Sequence, residues 1–359
     1  LDVDEMILNM GPQHPSTHGV LRIELRTDGE VVKGARPHIG YLHRCFEKHS
    51  ENVDYPGVIP YTDRMDYVAS MGNSLGYALA VEKLMTIEVG PYVATIRVIM
   101  AELQRIASHC VAVGTYGMDI GAFTPFLHLL RDREKILDLF EWTCGARLLY
   151  NYNWVGGVSH DLPEGFVKAG RHFLREFDAI TYPELVDLLI GNKIFVKRTA
   201  EVGVCSQELA IAYDLTGPNL RGSGLPRDLR KDHPYSGYEN YKFDVPVGKH
   251  GVGADKPPRF FEGCVKQRFD LIGDHVLHAT HSRLHLPLSR SRAKSPAFKA
   301  MVRCHNVLRC GGAVTAAPRR SRARYRPTAS AVSFSNTGSN VCALLPYKGC
   351  IDQTARPHP

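Results

Sequence analysis

The sequence lacks three features that would assign it to common classes of protein. No two of its nine cysteines, at positions 45, 110, 144, 205, 264, 304, 310, 342 and 350, form a C-x-x-C pair. The sequence therefore indicates neither a zinc knuckle nor an iron–sulfur cradle, and scattered thiols are typical of a reducing compartment. The longest apolar runs, such as Val93 to Met100, contain charge and fall short of the roughly 20 residues that span a bilayer. There is also no internal repeat.

Charge is distributed unevenly along the chain. The net charge of the 359 residues is +7. From His281 onward fourteen lysines and arginines stand against one acid, Asp352, whereas the first 280 residues hold 30 basic and 36 acidic residues. The sequence thus predicts a mildly acidic body and a basic end, in which Arg319 to Arg326 resembles a flexible arm.

Hydrophobic patterning predicts an α+β protein. Alternation over Leu21–Leu25, followed by Thr27-Asp28-Gly29, indicates a β-hairpin near the N-terminus. After Thr216 the composition changes to Gly, Pro, Asp and Tyr, which favours a long ordered loop with short strands. We predict a small N-terminal antiparallel β unit, a long-helix bundle and a loop-rich C-terminal region, with the limits 1–60, 61–215 and 216–359.

Four segments carry the helical signal, with apolar residues at every third or fourth position: 66–85, 91–110, 131–152 and 163–190. In the second of them, Arg97, Glu102 and Arg105 stand on the faces away from the apolar positions. This pattern predicts an amphipathic helix.

Three groups of residues are candidates for a functional site, and each also has a plainer structural explanation. His14 and His18 lie in GPQHPSTHGVLR at 11–22, where Pro15 disfavours helix, so hydrogen-bonded turn histidines are the plainer explanation. Tyr67 ends YTDRMDY at 61–67, whose charges would suit a helix start with a cap and ion pairs. Asp119 follows a long helix at the negative end of its dipole, an unfavourable place that hints at function.

Taken together and in this order, these segments resemble a known family. Four further segments belong to the same resemblance: HIGYLHRCFEK at 38–48, MDIGAFTPF at 118–126, GNKIFVKRTAEVGV at 191–204 and LRGSGLPRDLRK at 220–231. All are similar to the quinone-site, or 49-kDa, subunit of respiratory complex I. The resemblance extends with essentially no gaps from about Met6 to Gly251, and long gapless motifs of this kind are highly specific.

The resemblance implies a role for each candidate residue. His18 and Tyr67 would hold the quinone headgroup between them, each donating a hydrogen bond and a proton as the quinone oxygens become basic. Asp119 would pair with His18, favouring the imidazolium and orienting its ring. His14 and Thr115 would line the same quinone cavity.

The resemblance also implies the electron donor and the partners. Arg44 would lie near the terminal 4Fe-4S cluster, which a partner subunit ligates and whose reduced form a cation stabilises. A surface ion pair with Glu47 is the plainer explanation of Arg44.

This chain would hold no metal, and ubiquinone would be the substrate. The implied activity is that of proton-translocating NADH:ubiquinone reductase, and this chain alone would be inactive. The implied partners are the cluster-bearing subunit, which forms the other half of the cavity, and other subunits of the hydrophilic and membrane arms. The implied location is peripheral, on the matrix side of the mitochondrial inner membrane, with the bacterial cytoplasmic membrane as the less favoured alternative.

Two parts of the chain depart from the family pattern. After Gly145-Ala146-Arg147 the family places a histidine close to the cluster, where this chain has Leu149, and the arginine of the following turn is replaced around Asn153-Trp154. We therefore expect reduction of the cluster to be less coupled to proton uptake than in the family at large. The Asp-rich helix start expected after Gly251 and the acidic ending are missing. The divergent basic end would bind other subunits or an anionic membrane surface, or would be a solvated tail.

Three rival interpretations remain at this point. Large subunits of nickel–iron hydrogenases share the fold family but require two C-x-x-C pairs, which this sequence lacks. A scaffold subunit of the same complex without turnover is favoured by Leu149 and opposed by His18, Tyr67 and Asp119. Nucleic-acid binding through the basic arm has the least support, because only Tyr325 stands among its arginines and no recognition module surrounds it.

Overall fold

A three-stranded antiparallel sheet opens the chain in a computed structural model, which describes residues 5–14, 19–200 and 202–248. The strands are β1 (Met6–Met10), β2 (Arg22–Asp28) and β3 (Val31–His38), in the order β1-β2-β3. The predicted hairpin is confirmed: Asp28 pairs with Val31, which leaves a two-residue loop, and Gly29 adopts a φ of +59° there. The first strand was not predicted.

Helices make up most of the described chain after this sheet, so the α+β prediction is confirmed. They are α1 (Phe46–Ser50), α2 (Tyr55–Asp63), α3 (Ser70–Met85), α4 (Pro91–Asp119), α5 (Phe123–Cys144), α6 (Phe166–Glu176), α7 (Tyr182–Leu185), α8 (Lys193–Thr199), α9 (Gln207–Ala212), α10 (Gly217–Gly222) and α11 (Leu229–Asp232). Two π-helical turns, Phe177–Thr181 and Val186–Ile190, flank α7, and a 3₁₀ turn covers Tyr238–Asn240. A short hairpin pairs β4 (Asn153–Trp154) with β5 (Gly157–Val158).

Several helix boundaries differ from the prediction, and two of these differences have identifiable reasons. Residues 145–152 are not helical, because Gly145 adopts a φ of +77° and its N–H caps α5 by donating to the Glu141 carbonyl. In the predicted segment 66–85 the helix begins only at Ser70, after a turn. No helix in the described ranges combines the length and the apolar character needed to cross a membrane.

Helix α4 lies at the centre of the fold. Every residue from Thr95 to Gln104 is buried, so this stretch is surrounded on all sides by protein. The predicted polar faces are therefore wrong here: Arg97 and Glu102 are both buried and are compensated by ionic partners. Charged residues in a core require such pairing, because desolvation of an isolated charge is costly.

The first buried pair joins α3, α4 and the β4–β5 hairpin. Arg97 donates two hydrogen bonds to the Glu82 carboxylate, at 3.0 and 2.6 Å. It also donates to the carbonyls of Trp154 and Gly157, at 2.6 and 2.8 Å. The N–H of Gly156 donates to the same carboxylate at 2.6 Å. One salt bridge thereby fixes the hairpin against the bundle.

The second pair fastens the C-terminal part of the described chain to α4. Arg230 donates to Glu102 at 3.3 Å and to Asp228 at 2.7 Å, and the Tyr238 hydroxyl donates to Glu102 at 2.5 Å. The short strands expected after residue 216 are wrong for 217–248, where short helices stand instead. One reason is local: the Asp228 side chain accepts from the Arg230 N–H and caps a helical turn.

Candidate functional site

The structure describes five of the six candidate residues. His14 is exposed in the segment between β1 and β2. Residues 15–18, and His18 with them, lie outside the described residues, as does the basic arm at 319–326. The predicted contact between His18 and Asp119 therefore stays a prediction.

Tyr67 lies in a tight connection between α2 and α3, residues 63–70, which we name the Tyr67 turn. The expectation that YTDRMDY begins a helix is wrong, because the segment ends α2 and then turns. The Ser70 hydroxyl bridges both ends of the turn by donating to the carbonyls of Asp63 at 2.8 Å and Tyr67 at 3.2 Å. The Tyr67 side chain itself is 62% exposed, so the turn presents its phenol outward.

Two amides hold the same turn against the bundle. Gln104 of α4 donates its side-chain N–H to the Val68 carbonyl at 2.6 Å. Asn73 of α3 donates to the Asp66 carbonyl at 3.0 Å. Because Gln104 is buried and α4 is the central helix, the backbone that carries Tyr67 is fixed to the core of the fold.

Thr115 and Asp119 stand four residues apart near the end of α4 and so share one face of the helix. Asp119 is the last residue of α4 and is exposed, rather than lying beyond the helix as predicted. Thr115 is partly buried, and its hydroxyl donates to the Val111 carbonyl at 2.8 Å. The part of α4 between Gln104 and Asp119 is about 22 Å long, given the rise per residue of an α-helix. The Val68 carbonyl, next to Tyr67, and Asp119 are thus held at different levels along one helix.

Arg44 lies on the exposed connection between β3 and α1. The plainer explanation of this residue, an ion pair with Glu47, is wrong: both side chains are described and exposed, and Lys48–Glu51 is the ion pair seen in this part of the chain. Arg44 is therefore presented to the outside of this subunit.

A buried carboxyl that sequence analysis missed lies directly behind the Tyr67 turn. Asp63 is 0% exposed and accepts a hydrogen bond from the Asn151 N–H at 2.5 Å through Oδ2. Burial raises the pKa of Asp63 to about 6, against the lowering effects of Asn151, Ser74 and Arg64. The motif YTDRMDY contains two acids, Asp63 and Asp66. The sequence pattern alone could not tell which of the two is buried.

The segment at which the sequence departs from the family lies against this carboxyl. Leu149 has a φ of +58° and Asn151 a φ of +47°, both in the left-handed region that is strained for a bulky side chain such as leucine. Asn153 is fully buried and donates to the Met71 carbonyl at 2.9 Å and the Ser74 hydroxyl at 3.3 Å. Asn153 therefore fastens β4 to α3 at the point where an arginine was expected.

Comparison with known proteins decides the family. The model of the respiratory-chain NADH dehydrogenase 49-kDa subunit matches residues 119–258. A subunit of the NADH-quinone oxidoreductase of Chlorobaculum tepidum is 57% identical over 257 residues, which are 71% of this chain and 64% of the relative. The chain belongs to the 49-kDa subunit family.

The corresponding NADH-quinone oxidoreductase subunits of other bacteria are equally similar. The one from Chlorobaculum parvum is 58% identical over 247 residues, covering 69% of this chain and 62% of the relative. The one from Prosthecochloris aestuarii is 57% identical over 261 residues, covering 72% and 65%. The chain thus spans somewhat less than two thirds of the length of these relatives. They are bacterial proteins and give no support to the mitochondrial location that we expected.

Proposed function

We propose that this chain forms the ubiquinone-reduction site of a proton-translocating NADH:quinone oxidoreductase, together with a partner subunit that carries the terminal 4Fe-4S cluster. The observation that carries the proposal is the presentation of Tyr67. Its phenol is largely exposed, while its backbone is fixed by Ser70 and, through Val68, by Gln104. A rigid backbone with an outward phenol suits a proton donor that a substrate must reach.

The spacing along α4 fits a substrate held between several groups. Tyr67 lies beside the middle of the helix, and Thr115 and Asp119 lie near its end. That interval leaves room for a quinone ring and for the imidazole of His18, which would bridge the ring and Asp119. In this arrangement Tyr67 and His18 donate to the two quinone carbonyls, Asp119 orients His18, and His14 and Thr115 line the cavity.

Assembly with other subunits is supported by the outer surface of the N-terminal part. Large apolar side chains of the sheet and of the segment after it are exposed: Met6, Ile7, Leu8, Val31, Val32, Ile39, Tyr41 and Leu42. Exposed apolar side chains in this number favour a protein-interaction surface in this part of the chain. Arg44 lies two residues beyond Leu42, so a cluster-bearing subunit that covers the segment with Ile39, Tyr41 and Leu42 would meet its guanidinium. Membrane contact would be indirect or through the basic C-terminal end.

Photoaffinity labelling of the assembled complex tests the proposed site. We expect a quinone with a photoreactive group on its ring to label the peptide that contains Tyr67, and excess ubiquinone to prevent the labelling. Labelling that is confined to other subunits, or that excess ubiquinone does not reduce, would contradict a quinone site on this chain.

This chain has Leu149 where the family places a histidine, and this difference should change the redox behaviour of the terminal cluster. Leucine cannot take up a proton, so we expect the potential of the terminal cluster to depend little on pH between about 7 and 8.5. Leu149→His should bring the slope toward about 59 mV per pH unit, the value for one proton per electron. Histidine is enriched at positive φ and titrates near this range, so the backbone at 149 should accept it.

Potentiometric titration of the cluster signal at several pH values gives both slopes. Leu149→Asn is the matched control, because asparagine also tolerates positive φ but does not titrate. A full slope in the unsubstituted complex would show that this expectation is wrong.

A further inference from the structure

Helix α6 has a row of basic side chains on the side that faces away from the core. We name this row the basic stripe: Lys168, Arg171, His172 and Arg175. Spacings of three, four and seven residues place its members on one side of the helix, over a length of about 10 Å. The other side of α6 is buried, with Phe166, Phe173 and Leu174 in the core. The stripe is thus the outer face of an amphipathic helix.

No acid of the described residues forms an ion pair with the basic stripe. The one acid of α6 itself, Glu176, is engaged by Lys135 of α5, whose amine lies 2.6 Å from its carboxylate. Glu164 and Asp178 flank the stripe in the sequence, and neither is paired with it in this part of the chain. One lysine and two arginines, joined by His172 when it is protonated, therefore lack a paired counter-charge among the residues that the structure describes.

Three cations of α5 and of the connection after it show the contrast. Arg131 and Lys135 lie 2.7 and 3.0 Å from the Asp132 carboxylate. Arg147 lies 2.7 Å from Asp138. Each of these cations has an acid that this chain supplies. The basic stripe is the part of this surface whose charge complements an acidic partner from outside.

We propose that the basic stripe docks against an acidic face of a neighbouring subunit in the assembled complex. This inference rests on the proposed assembly with other subunits and not on the quinone site. Arginine suits such a contact, because its planar guanidinium donates two parallel hydrogen bonds to a carboxylate and because it is enriched in protein interfaces. Carboxylates along one element of the partner would meet the cations in turn and fix the register of the two surfaces.

A lipid surface fits the stripe less well than a protein does. Between Lys168 and Arg175 no apolar side chain is exposed, and the apolar face of α6 is already occupied by its own bundle. The helix therefore has nothing to insert into a bilayer, and stable membrane binding usually needs an apolar signal besides charge. A short row of cations on a packed helix suits carboxylates that are themselves held in place.

Zero-length cross-linking of the assembled complex tests the proposal. A carbodiimide joins a lysine amine to a carboxylate only where the two groups are in contact. We expect the Lys168 amine to become linked to an aspartate or glutamate of another subunit, which mass spectrometry of the linked peptides identifies. Links of Lys168 that are confined to this chain, residues 249–359 included, would overturn the proposal.

Charge reversal gives a second test. Lys168→Glu/Arg175→Glu should weaken the attachment of the linked subunit about tenfold, so that this subunit dissociates at lower salt. Replacing the linked acid of that subunit by lysine should restore the attachment, which it would not do if the double variant were merely misfolded. Lys168→Gln/Arg175→Gln, which only removes charge, should show a smaller loss. Lys83→Glu, at an exposed lysine of α3, is the matched control and should leave the attachment unchanged.

Two further readouts separate the possible outcomes. Ubiquinone reduction per assembled complex should be unchanged in the double variant, because no residue of the stripe belongs to the proposed quinone site. The docking proposal and the quinone site therefore stand or fall separately. If the salt dependence is unchanged and the double variant only lowers binding of the full chain to phosphatidylserine vesicles, the stripe binds lipid and the docking proposal is wrong.

Discussion

Replacing Tyr67 by phenylalanine should lower NADH:ubiquinone reductase activity of the assembled complex by about 10²-fold, within the range for loss of a general acid. The substitution removes the hydroxyl and leaves the ring. The carbonyls of Asp63, Tyr67 and Val68, which accept the bonds that fix the turn, are unchanged. The loss should therefore come from the missing proton and hydrogen bond, not from a displaced backbone. Ubiquinone reduction by purified complex, with NADH as donor, gives the rate.

Two further measurements make this result decisive. NADH oxidation with ferricyanide, which accepts electrons upstream of the quinone, should stay near its original rate and so show that the complex is intact. Tyr213→Phe, at an exposed tyrosine outside the Tyr67 turn, is the matched control and should leave ubiquinone reduction unchanged. If Tyr67→Phe reduces ubiquinone as fast as the original protein, the chain is better explained as a scaffold subunit without a turnover-competent site.

Replacing Arg97 by methionine should lower the free energy of unfolding of the chain by about 3–5 kcal/mol, the cost of breaking a buried ion pair from one side. Methionine removes both donors to Glu82 and leaves that carboxylate buried with only the Gly156 N–H. The carbonyls of Trp154 and Gly157 lose their donor as well. Urea unfolding followed by circular dichroism measures the change.

Removing the Glu82 charge at the same time should recover part of this loss. In Glu82→Gln/Arg97→Met no unpaired charge remains, although the two hairpin carbonyls still lack a donor. Arg147→Met is the surface control: Arg147 also makes ion pairs, with Glu134 and Asp138, but these are exposed and should contribute little. A double variant no more stable than Arg97→Met would show that the backbone contacts, not the charge, dominate.

Local features of the fold could be predicted because their causes are local. The β2–β3 hairpin follows from alternating strands around a two-residue loop with glycine, and α4 follows from apolar spacing that a few turns of helix reveal. The predicted charged faces of α4 failed for the opposite reason. Arg97 and Glu102 look solvent-facing by type, and only partners far along the chain, Glu82 and Arg230, make their burial possible.

The candidate site divides in the same way. The order and gapless length of the motifs identified the family, and with it Tyr67, His18 and Asp119, from the sequence alone. Their roles in binding quinone stay predictions, and so do the domain limits. The mutual placement of Tyr67 and Asp119 came only from the Gln104–Val68 contact, which joins segments that no local pattern relates.

The sequence by itself determined the family, the α+β class and the residues that carry the proposed chemistry, because each of these is written in short contiguous segments. Only the tertiary structure decided which acid of YTDRMDY is buried. Asp63 meets its partner Asn151 across 88 residues of chain, whereas Asp66 stays partly exposed on the turn. Burial depends on the packing of segments far apart in sequence, and it is burial that changes the protonation of a carboxyl.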